Sequence, residues 1–407
     1  MLTRRQLLQT TAASGLMSTI PFGASLAADA PVPMKAFLDD LDELVRIDSK
    51  SGYAEGVRRV ADVMEKRFAS IGWTVTRHEV GEKWGPGLVI TNFKDQSAYD
   101  VVICAHMDTV QPVGNAAKYP LTVEGTIARG AGAGDDKASL NAVWYICREL
   151  PKAVTEKLRM CVLLSPAEEV GPAELNDFLL EYGKRAKYAL VYEPGRPDGS
   201  FVKARKSCNW IKLDFEGLAA HAGNNPQDGR NAIDAMARAI PMVNEVVKDY
   251  PGVTINTGVV NGGTVPNTVA AHADVTFDLR TVKNADIKAI TAKIEELARN
   301  GFGKDVKTTV SYPSTGYAME FTPASEKLVR IVEQAADKLG HKKPVWLSVG
   351  GASDGNALSG AGLGVVDAMG VCSGNLHNAE KEFVDLTTVT PRIRLGQKVL
   401  ELMAQGI

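Results

Sequence analysis

The sequence predicts an α/β fold into which a smaller α+β module is inserted, and three observations support this prediction. From residue 32 to about 205, apolar strands alternate with amphipathic helices, as in a sheet covered by helices on both faces. From about 206 to 316 the order changes to strand, helix, two strands, helix and strand. After residue 317 the first pattern resumes, so the second module interrupts the first.

The first module is defined by helical periodicity and by short apolar strands, of which VVICA and MCVLL are the clearest. Its predicted helices cover 35–46, 54–71, 137–149 and 173–182, and its predicted strands cover 74–80, 87–92, 100–105, 158–165 and 188–192. After the interruption, the predicted elements are a helix over 325–339, a strand over 343–347 and a helix over 389–403.

The inserted module has the βαββαβ order of a ferredoxin-like fold, which predicts a compact two-layer structure. Its predicted strands cover 209–215, 254–260, 270–279 and 306–313, and its predicted helices cover 232–249 and 285–300. We therefore expect one domain made of residues 31–205 and 317–407, and a second domain made of residues 206–316.

The composition excludes several classes of protein. The chain has 407 residues, of which 45% are hydrophobic and 23% charged, so it is neither disordered nor collagen-like. Its net charge is only −2, from 46 basic and 48 acidic side chains, so we expect neither nucleic acid nor a membrane as a partner. The five cysteines are scattered without CxxC spacing, which favours core residues over a disulfide framework.

The first thirty residues are typical of an export signal. Thr3-Arg4-Arg5-Gln6-Leu7-Leu8 opens a mildly apolar stretch, which ends in small residues at Ser25-Leu26-Ala27 or Ala28-Asp29-Ala30. The stretch is too short and too polar for a membrane span. The paired arginines favour the twin-arginine route, with an ordinary secretory signal as the alternative. We therefore expect a periplasmic or secreted protein.

A histidine and an acid follow the strand VVICA directly. His106 and Asp108 are two residues apart at the strand end, so the imidazole can bind a metal while the carboxylate accepts its other N–H. Taken alone, this pair is a weak signal, and an ordinary hydrogen-bonded histidine is the favoured interpretation.

A glycine-rich segment, Arg129-Gly130-Ala131-Gly132-Ala133-Gly134-Asp135-Asp136-Lys137, precedes the next helix. It lacks the spacing of a phosphate-binding loop and places two acids where phosphates would lie. A metal therefore fits better than a phosphate, although two acids can also simply cap a helix.

Further acids and a histidine follow other predicted strands or lie in late loops. Glu168 and Glu169 follow MCVLLS, Glu193 follows a second apolar strand, and His377 lies in a loop near the C-terminus. Each alone could be a solvated loop residue. Together they indicate a site, because ligands cluster at the carboxyl edge of such sheets.

These motifs resemble those of a known family. AHMDTV, GAGAGDDKAS, SPAEEVG, YEPG, AAHAG, GGTVPNTV and NLHNAEKEFVDL occur in this order in the dinuclear zinc carboxypeptidase and aminoacylase family. The chain most resembles the glutamate carboxypeptidase (carboxypeptidase G) branch, over essentially its whole length after the signal. The resemblance implies a three-layer zinc-peptidase catalytic domain with an inserted lid and dimerisation domain.

The resemblance also implies a role for each residue of the metal site. Two Zn²⁺ ions per subunit would be bridged by Asp135, with a cis peptide bond between Asp135 and Asp136. His106 and Glu193 would complete the ligands of one ion, and Glu169 and His377 those of the other. Asp108 would orient His106, and Glu168 would be the general base that activates water.

The inserted domain would hold the substrate. The resemblance implies that His221 reaches across a homodimer to the developing oxyanion, and that Arg280 binds the substrate carboxylate, assisted by Asn267 and the loop containing Gly351. Simpler interpretations are an exposed loop histidine, an exposed arginine at a strand end and an asparagine in a turn.

The expected activity is metal-dependent hydrolysis of an amide bond that releases a C-terminal amino acid, with glutamate favoured, from N-acyl or peptidyl substrates such as folates. The alternatives are a broad-specificity aminoacylase, a dipeptidase or a succinyl-diaminopimelate desuccinylase, and, in another class, a binding protein without catalysis. Departures from the family pattern at Ala138-Ser139, at Thr268-Val269-Ala270 and after His377 remove no ligand but weaken the glutamate assignment.

Overall fold

The computed structural model describes residues 31–95 and 97–406, so the export signal expected over residues 1–30 lies outside the described residues. The α-helices are α1 Met34–Val45, α2 Ala54–Ser70, α3 Asn115–Lys118, α4 Ala138–Arg148, α5 Lys152–Thr155, α6 Ala173–Gly183, α7 Ala232–Val246, α8 Asn284–Asn300, α9 Pro323–Lys338, α10 Asp354–Gly360 and α11 Val389–Ala404. Within residues 31–95 and 97–406, no helix combines the length and hydropathy of a membrane-spanning segment.

Within the described residues, the strands form four sheets. They are β1 Thr74–Gly81, β2 Gly85–Thr91, β3 Val101–His106, β4 Thr122–Glu124, β5 Ile127–Arg129, β6 Met160–Ser165, β7 Tyr188–Val191, β8 Phe201–Arg205, β9 Asn209–Glu216, β10 Thr254–Gly262, β11 His272–Arg280, β12 Lys307–Ser314, β13 Trp346–Val349, β14 Gly364–Val366, β15 Ser373–Gly374 and β16 Phe383–Asp385.

The central sheet has the order β1-β2-β6-β3-β7-β14, and its last four strands are parallel. Alternate residues of β3 enter two different cores: Val101 and Ile103 face one, while Val102 and Cys104 face the other. Helices α1, α2, α4, α9 and α11 pack on the first face, and α6 and α10 on the second. Strands buried on both faces explain the continuous apolar runs in the sequence, and the predicted α/β class is confirmed.

The parallel strands bring their carboxyl ends to one edge of this sheet. His106, the last residue of β3, is aligned with Ser165 at the end of β6. Cys104 is aligned with Val191 at the end of β7, two residues before Glu193. The loops that begin with His106, Pro166 and Tyr192 therefore start beside each other.

The inserted module contains the predicted βαββαβ order. Its antiparallel sheet has the order β10-β11-β9-β12, with α7 and α8 packed on one face through a core that includes Leu213, Phe277 and Ile294. The residues on the other face are polar or exposed, among them Trp210 and Asp274. The boundaries proposed at 205/206 and 316/317 remain predictions.

Several short strands differ from the sequence prediction. β13 begins three residues and ends two residues later than the predicted strand over 343–347, and it pairs with β8, which was not predicted. The small sheet with the order β15-β16-β5-β4 was also missed. Strands of two to five residues pair across long stretches of sequence and carry too few residues to show periodicity.

The buried side-chain amide of Asn356 connects the two chain segments that lead into and out of the inserted module. Nδ2 of Asn356 donates hydrogen bonds to the carbonyl oxygens of Lys206, at 3.0 Å, and Tyr317, at 2.7 Å. Its Oδ1 accepts a hydrogen bond from the backbone N–H of Ser353, at 3.0 Å. The two connections are therefore held to each other and to the loop that precedes α10.

We predict that Asn356→Ala lowers the free energy of unfolding by about 2 to 4 kcal/mol, because it leaves two partly buried carbonyl groups and one buried N–H without their partner. Chemical denaturation of both proteins measures this difference. Asn300→Ala, at the exposed end of α8, is the control and should change stability by less than about 0.5 kcal/mol. Equal stabilities of the two variants would contradict this account of the connection.

Candidate metal centre and catalytic site

His106 lies buried between two carboxylates. Its Nε2 is 3.0 Å from Oδ1 of Asp135 and 3.9 Å from Oε1 of Glu193. Its Nδ1 is 3.0 Å from the carbonyl oxygen of Asp108 and 3.3 Å from Oδ1 of the same residue. Burial by itself lowers the pKa of His106, but the carboxylates of Asp108 and Asp135 outweigh it and raise the pKa well above its usual value. Asp108 thus occupies the place expected of a residue that orients the imidazole.

Asp135 lies between two histidines. Its Oδ1 faces His106, while its Oδ2 is 3.4 Å from Nε2 of His377, which is also 3.5 Å from Oε2 of Glu169. The peptide bond between Asp135 and Asp136 is cis, as the resemblance implies. Although burial raises the pKa of Asp135, hydrogen bonds to the two histidines outweigh it and lower the pKa. One carboxylate therefore joins the two halves of the predicted ligand set.

Three glutamates at the sheet edge carry strongly perturbed carboxyl groups. Desolvation is the main cause in each, and neighbouring carboxylates add to it. The pKa values of Glu168 and Glu193 lie well above the usual value, and that of Glu169 is raised to about 7. Like charges gathered at a desolvated edge favour the binding of cations.

The donor atoms fit two divalent ions. Ligand atoms of Asp135, Glu169 and His377 lie within 4.8 Å of one another, and the same holds for His106, Glu168 and Glu193. Oδ1 of the buried Asp136 has no hydrogen-bond partner among the described residues. A set of oxygen and imidazole donors without sulfur suits Zn²⁺ and similar ions. The structure thus brings together all five predicted ligands and the predicted base, Glu168.

Asp108 also fixes the loop that carries the glutamates. Its carboxylate accepts hydrogen bonds from the backbone N–H groups of Glu168, at 3.0 Å, and Glu169, at 3.3 Å. The hydroxyl of Ser51 donates a further hydrogen bond to it, at 2.5 Å. One buried acid therefore sets the relative positions of His106, Glu168 and Glu169.

Glu382 is a part of the site that the sequence analysis missed. It is fully buried, and its Oε1 accepts hydrogen bonds from the backbone N–H groups of Gly134, at 2.7 Å, and Asp135, at 3.0 Å. Burial raises its pKa to about 7. Its signal in the sequence is weak: an acid directly before the apolar pair Phe383-Val384, in the same motif as His377. Glu382 holds the backbone that carries the bridging carboxylate.

A cavity of about 620 Å³ adjoins the candidate metal centre. Its walls include the predicted substrate residues Arg280 and Gly351. Both oxygens of Asp278 accept hydrogen bonds from Nε of Arg280, at 2.9 and 3.0 Å. The remaining lining residues include Glu168, Glu169, Val170, Glu193, Cys208, Trp210, Tyr317, Ser353, Asp354 and Asn356.

His221 and Asn267 lie outside this cavity. Both are exposed on neighbouring loops of the inserted module, where Ala222 donates a backbone hydrogen bond to the carbonyl oxygen of Asn267. Nδ1 of His221 accepts hydrogen bonds from the N–H groups of Gly223 and Asn224, both at 3.1 Å. Neither residue reaches this cavity, so the roles that the resemblance implies for them remain predictions.

Known proteins resemble this chain over most of its length. Residues 203–306 match the family model of the peptidase dimerisation domain. Carboxypeptidase G2 of Pseudomonas sp. (strain RS-16) is 25% identical over 377 residues, which cover 91% of this chain and 90% of that protein. The resemblance that the motifs indicate is thereby confirmed at the level of the family.

Two solved structures show the same fold. Aminopeptidase PepT from Bacillus cereus ATCC 10987 has a TM-score of 0.71 and 23% identity, and covers 91% of this chain and 98% of its own. The M20 family metallo-carboxypeptidase Sso-CP2 from Sulfolobus solfataricus has a TM-score of 0.67 and 17% identity, with 91% and 99% covered. Carboxypeptidase G2 and these two structures together comprise one aminopeptidase and two carboxypeptidases. The likeness therefore supports hydrolysis of peptide-like bonds but does not identify the substrate.

We predict that Glu382→Gln weakens the binding of divalent metal by about 10- to 100-fold, because the backbone at Gly134 and Asp135 loses its charged acceptor. Competition with a chromophoric chelator for Zn²⁺ measures the affinity. Glu380→Gln, two residues away and exposed, is the control. If both variants bind Zn²⁺ as tightly as the unchanged protein, Glu382 has no part in holding the site.

Proposed function

We propose that this chain, an M20-family peptidase with a dimerisation domain, is a metal-dependent amidohydrolase that releases a C-terminal amino acid from an N-acyl or peptidyl substrate. The observation that carries the proposal is the convergence of His106, Asp135, Glu169, Glu193 and His377 beside Glu168, at a cavity that also contains Arg280. Neither a binding protein nor a structural module needs this combination of ligands, base and cation.

Two divalent ions, most simply Zn²⁺, would be held by these five side chains. When bound, such ions acidify water to a pKa of about 7 and polarise a carbonyl group. The protein contributes the geometry: Asp135 joins the two halves of the ligand set, Asp108 fixes the orientation of His106, and Glu382 holds the backbone of Asp135.

Glu168 is the proposed general base. Desolvation and the neighbouring carboxylates raise its pKa well above the usual value of a glutamate, which favours uptake of a proton. Its backbone N–H is fixed by Asp108, and its side chain lies at the wall of the cavity. Glu168 would take a proton from the attacking water and return it to the leaving nitrogen.

Arg280 supports release from the C-terminal side. A free α-carboxylate needs a cation, and the planar fork of an arginine matches its two oxygens. Because Asp278 holds Nε, the guanidinium is fixed with its two terminal nitrogens available; no hydrogen bond from either is found among the described residues. Glutamate is the released residue that the sequence resemblance favours, with a broad aminoacylase or a dipeptidase as the alternative.

We also propose an exported homodimer. Strand β10 is an edge strand of the inserted sheet, and its Val259 and Val260 are 54% and 53% exposed. An exposed edge with apolar side chains is a surface that a second copy can cover. Export to the periplasm rests on the paired arginines and the small-residue end of the first thirty residues.

We predict that Glu168→Gln lowers kcat for an N-acyl amino acid by about 10²- to 10⁴-fold, because the proton acceptor is lost, while the metal content stays unchanged. Rates and metal content are measured on the zinc-loaded protein and after chelation. Glu174→Gln, exposed in the first turn of α6, should behave as the unchanged protein. Activity that survives both chelation and Glu168→Gln would disprove the proposal.

A mixed-subunit experiment tests the role of His221. His221→Ala and Glu168→Gln should each be nearly inactive alone, since each lacks a group that every site needs. In a mixed dimer, one site combines an intact Glu168 with the partner's intact histidine. We predict that random mixing restores about one quarter of the normal activity per subunit. No recovery in dimers shown to have exchanged subunits would place His221 in its own subunit's site or outside catalysis.

A further inference from the structure

We infer that the released amino acid carries an uncharged aromatic or aliphatic side chain rather than glutamate, and that Trp210 determines this preference. The inference rests on the proposed function, because it takes Arg280 as the group that binds the α-carboxylate. It concerns the part of the cavity formed by the sheet of the inserted module.

Trp210 and Arg280 lie on the same face of that sheet. Trp210 on β9 is paired with Asp278 on β11, and Arg280 follows two residues later on the same strand. Trp210 is also paired with Ser314 on β12, another residue of the cavity wall. Diagonal neighbours on one face lie within reach of a large side chain. A residue whose carboxylate binds Arg280 therefore has its side chain near the indole.

The indole is exposed to the cavity although it is a large apolar group. Trp210 is 46% exposed and is one of the lining residues, as are the exposed Tyr317 and Val170. Apolar surface of this kind gains stability when a ligand covers it. A phenylalanyl or leucyl side chain would cover it, whereas a carboxylate would lose its hydration there without a partner.

The charges of the lining admit one substrate carboxylate, not two. Its carboxylates are Asp135, Glu168, Glu169, Glu193 and Asp354, against the basic residues Arg280 and His377. His377 belongs to the metal-ligand group, and Arg280 already donates its Nε to Asp278. A second carboxylate, such as that of glutamate, would find no further arginine or lysine among these lining residues.

Arg205, which contacts the lining residue Gly351, already forms hydrogen bonds within the protein. Nε of Arg205 donates to Oδ2 of Asp367 at 2.6 Å, and one terminal nitrogen donates to the carbonyl oxygen of Gly351 at 3.2 Å. The side chain is only 12% exposed, and it is not part of the cavity lining. Arg205 therefore has one terminal nitrogen without a hydrogen bond among the described residues, on a side chain that lies outside the lining.

A substrate panel on the zinc-loaded enzyme tests the inference: N-acetyl derivatives of phenylalanine, leucine, alanine and glutamate. We expect kcat/KM for phenylalanine and leucine to exceed that for glutamate by about 10- to 100-fold. Trp210→Ala should remove most of the advantage of phenylalanine over alanine, by about 10-fold, with little change for alanine itself. Trp210→Lys should raise kcat/KM for the glutamate derivative and lower it for phenylalanine.

Thr276→Lys is the matched control. Thr276 lies on the same sheet face as Trp210, paired with Lys212 and outside the cavity lining, so an added lysine there should leave the panel unchanged. Glutamate as the best substrate of the unchanged enzyme would overturn the inference, and loss of that preference in Arg205→Gln would identify Arg205 as the second cation. A loss of equal size for all substrates in Trp210→Ala would also overturn it. If none of the four compounds is hydrolysed, the proposed function itself fails.

Discussion

The repulsion among carboxylates at one edge of the central sheet is the constraint on which the rest of the site depends. Glu168, Glu169 and Glu193 follow parallel strands whose ends lie side by side, and Asp135 joins them from the segment that precedes α4. Desolvation raises the pKa values of all three glutamates, and Asp135 keeps a low pKa only through its two histidines. An arrangement that is costly without cations becomes favourable with them. The buried acids around it, Asp108 and Glu382, accept backbone N–H groups and so keep the ligands from relaxing apart.

A hydrogen-bond network also connects the inserted module to the loop that borders the cavity. Asn356 holds both connections to that module, and its amide oxygen accepts the N–H of Ser353. The hydroxyl of Ser353 donates to Asp367, which in turn binds Arg205 at the end of β8. Ser353, Asn356 and the carbonyl partner of Arg205, Gly351, all border the cavity. A displacement of the inserted module would therefore shift the loop around Ser353, because both form hydrogen bonds with the side chain of Asn356.

Part of the site could be predicted from the residues alone, because polar residues after apolar runs mark strand ends, whereas the assignment of each metal ligand came from the family resemblance. His106, Glu168, Glu169 and Glu193 all have this signature. Glu382 does not, because its function depends on the pairing of β16 with β5, residues that are about 250 positions apart and form strands of three residues each. The positions of His221 and Asn267 outside the cavity could not be predicted from the sequence either. A sequence shows that a histidine has a role in the family, but it does not show which subunit's site that histidine completes.

The same reasoning explains why a distant likeness transfers the chemistry of the site more securely than its substrate. Three of the five metal ligands, His106, Glu169 and Glu193, lie at or just after the ends of central strands that are buried on both faces, where close packing restricts the choice of residue. The proposed pocket for the side chain of the released amino acid lies on the inserted sheet instead. Trp210, Ser314 and Arg280 project from the open face of the inserted sheet, where no core packing restricts the choice of residue. A single replacement at Trp210 would change the polarity of the pocket without disturbing a ligand, so substrate preference must be argued from these residues themselves.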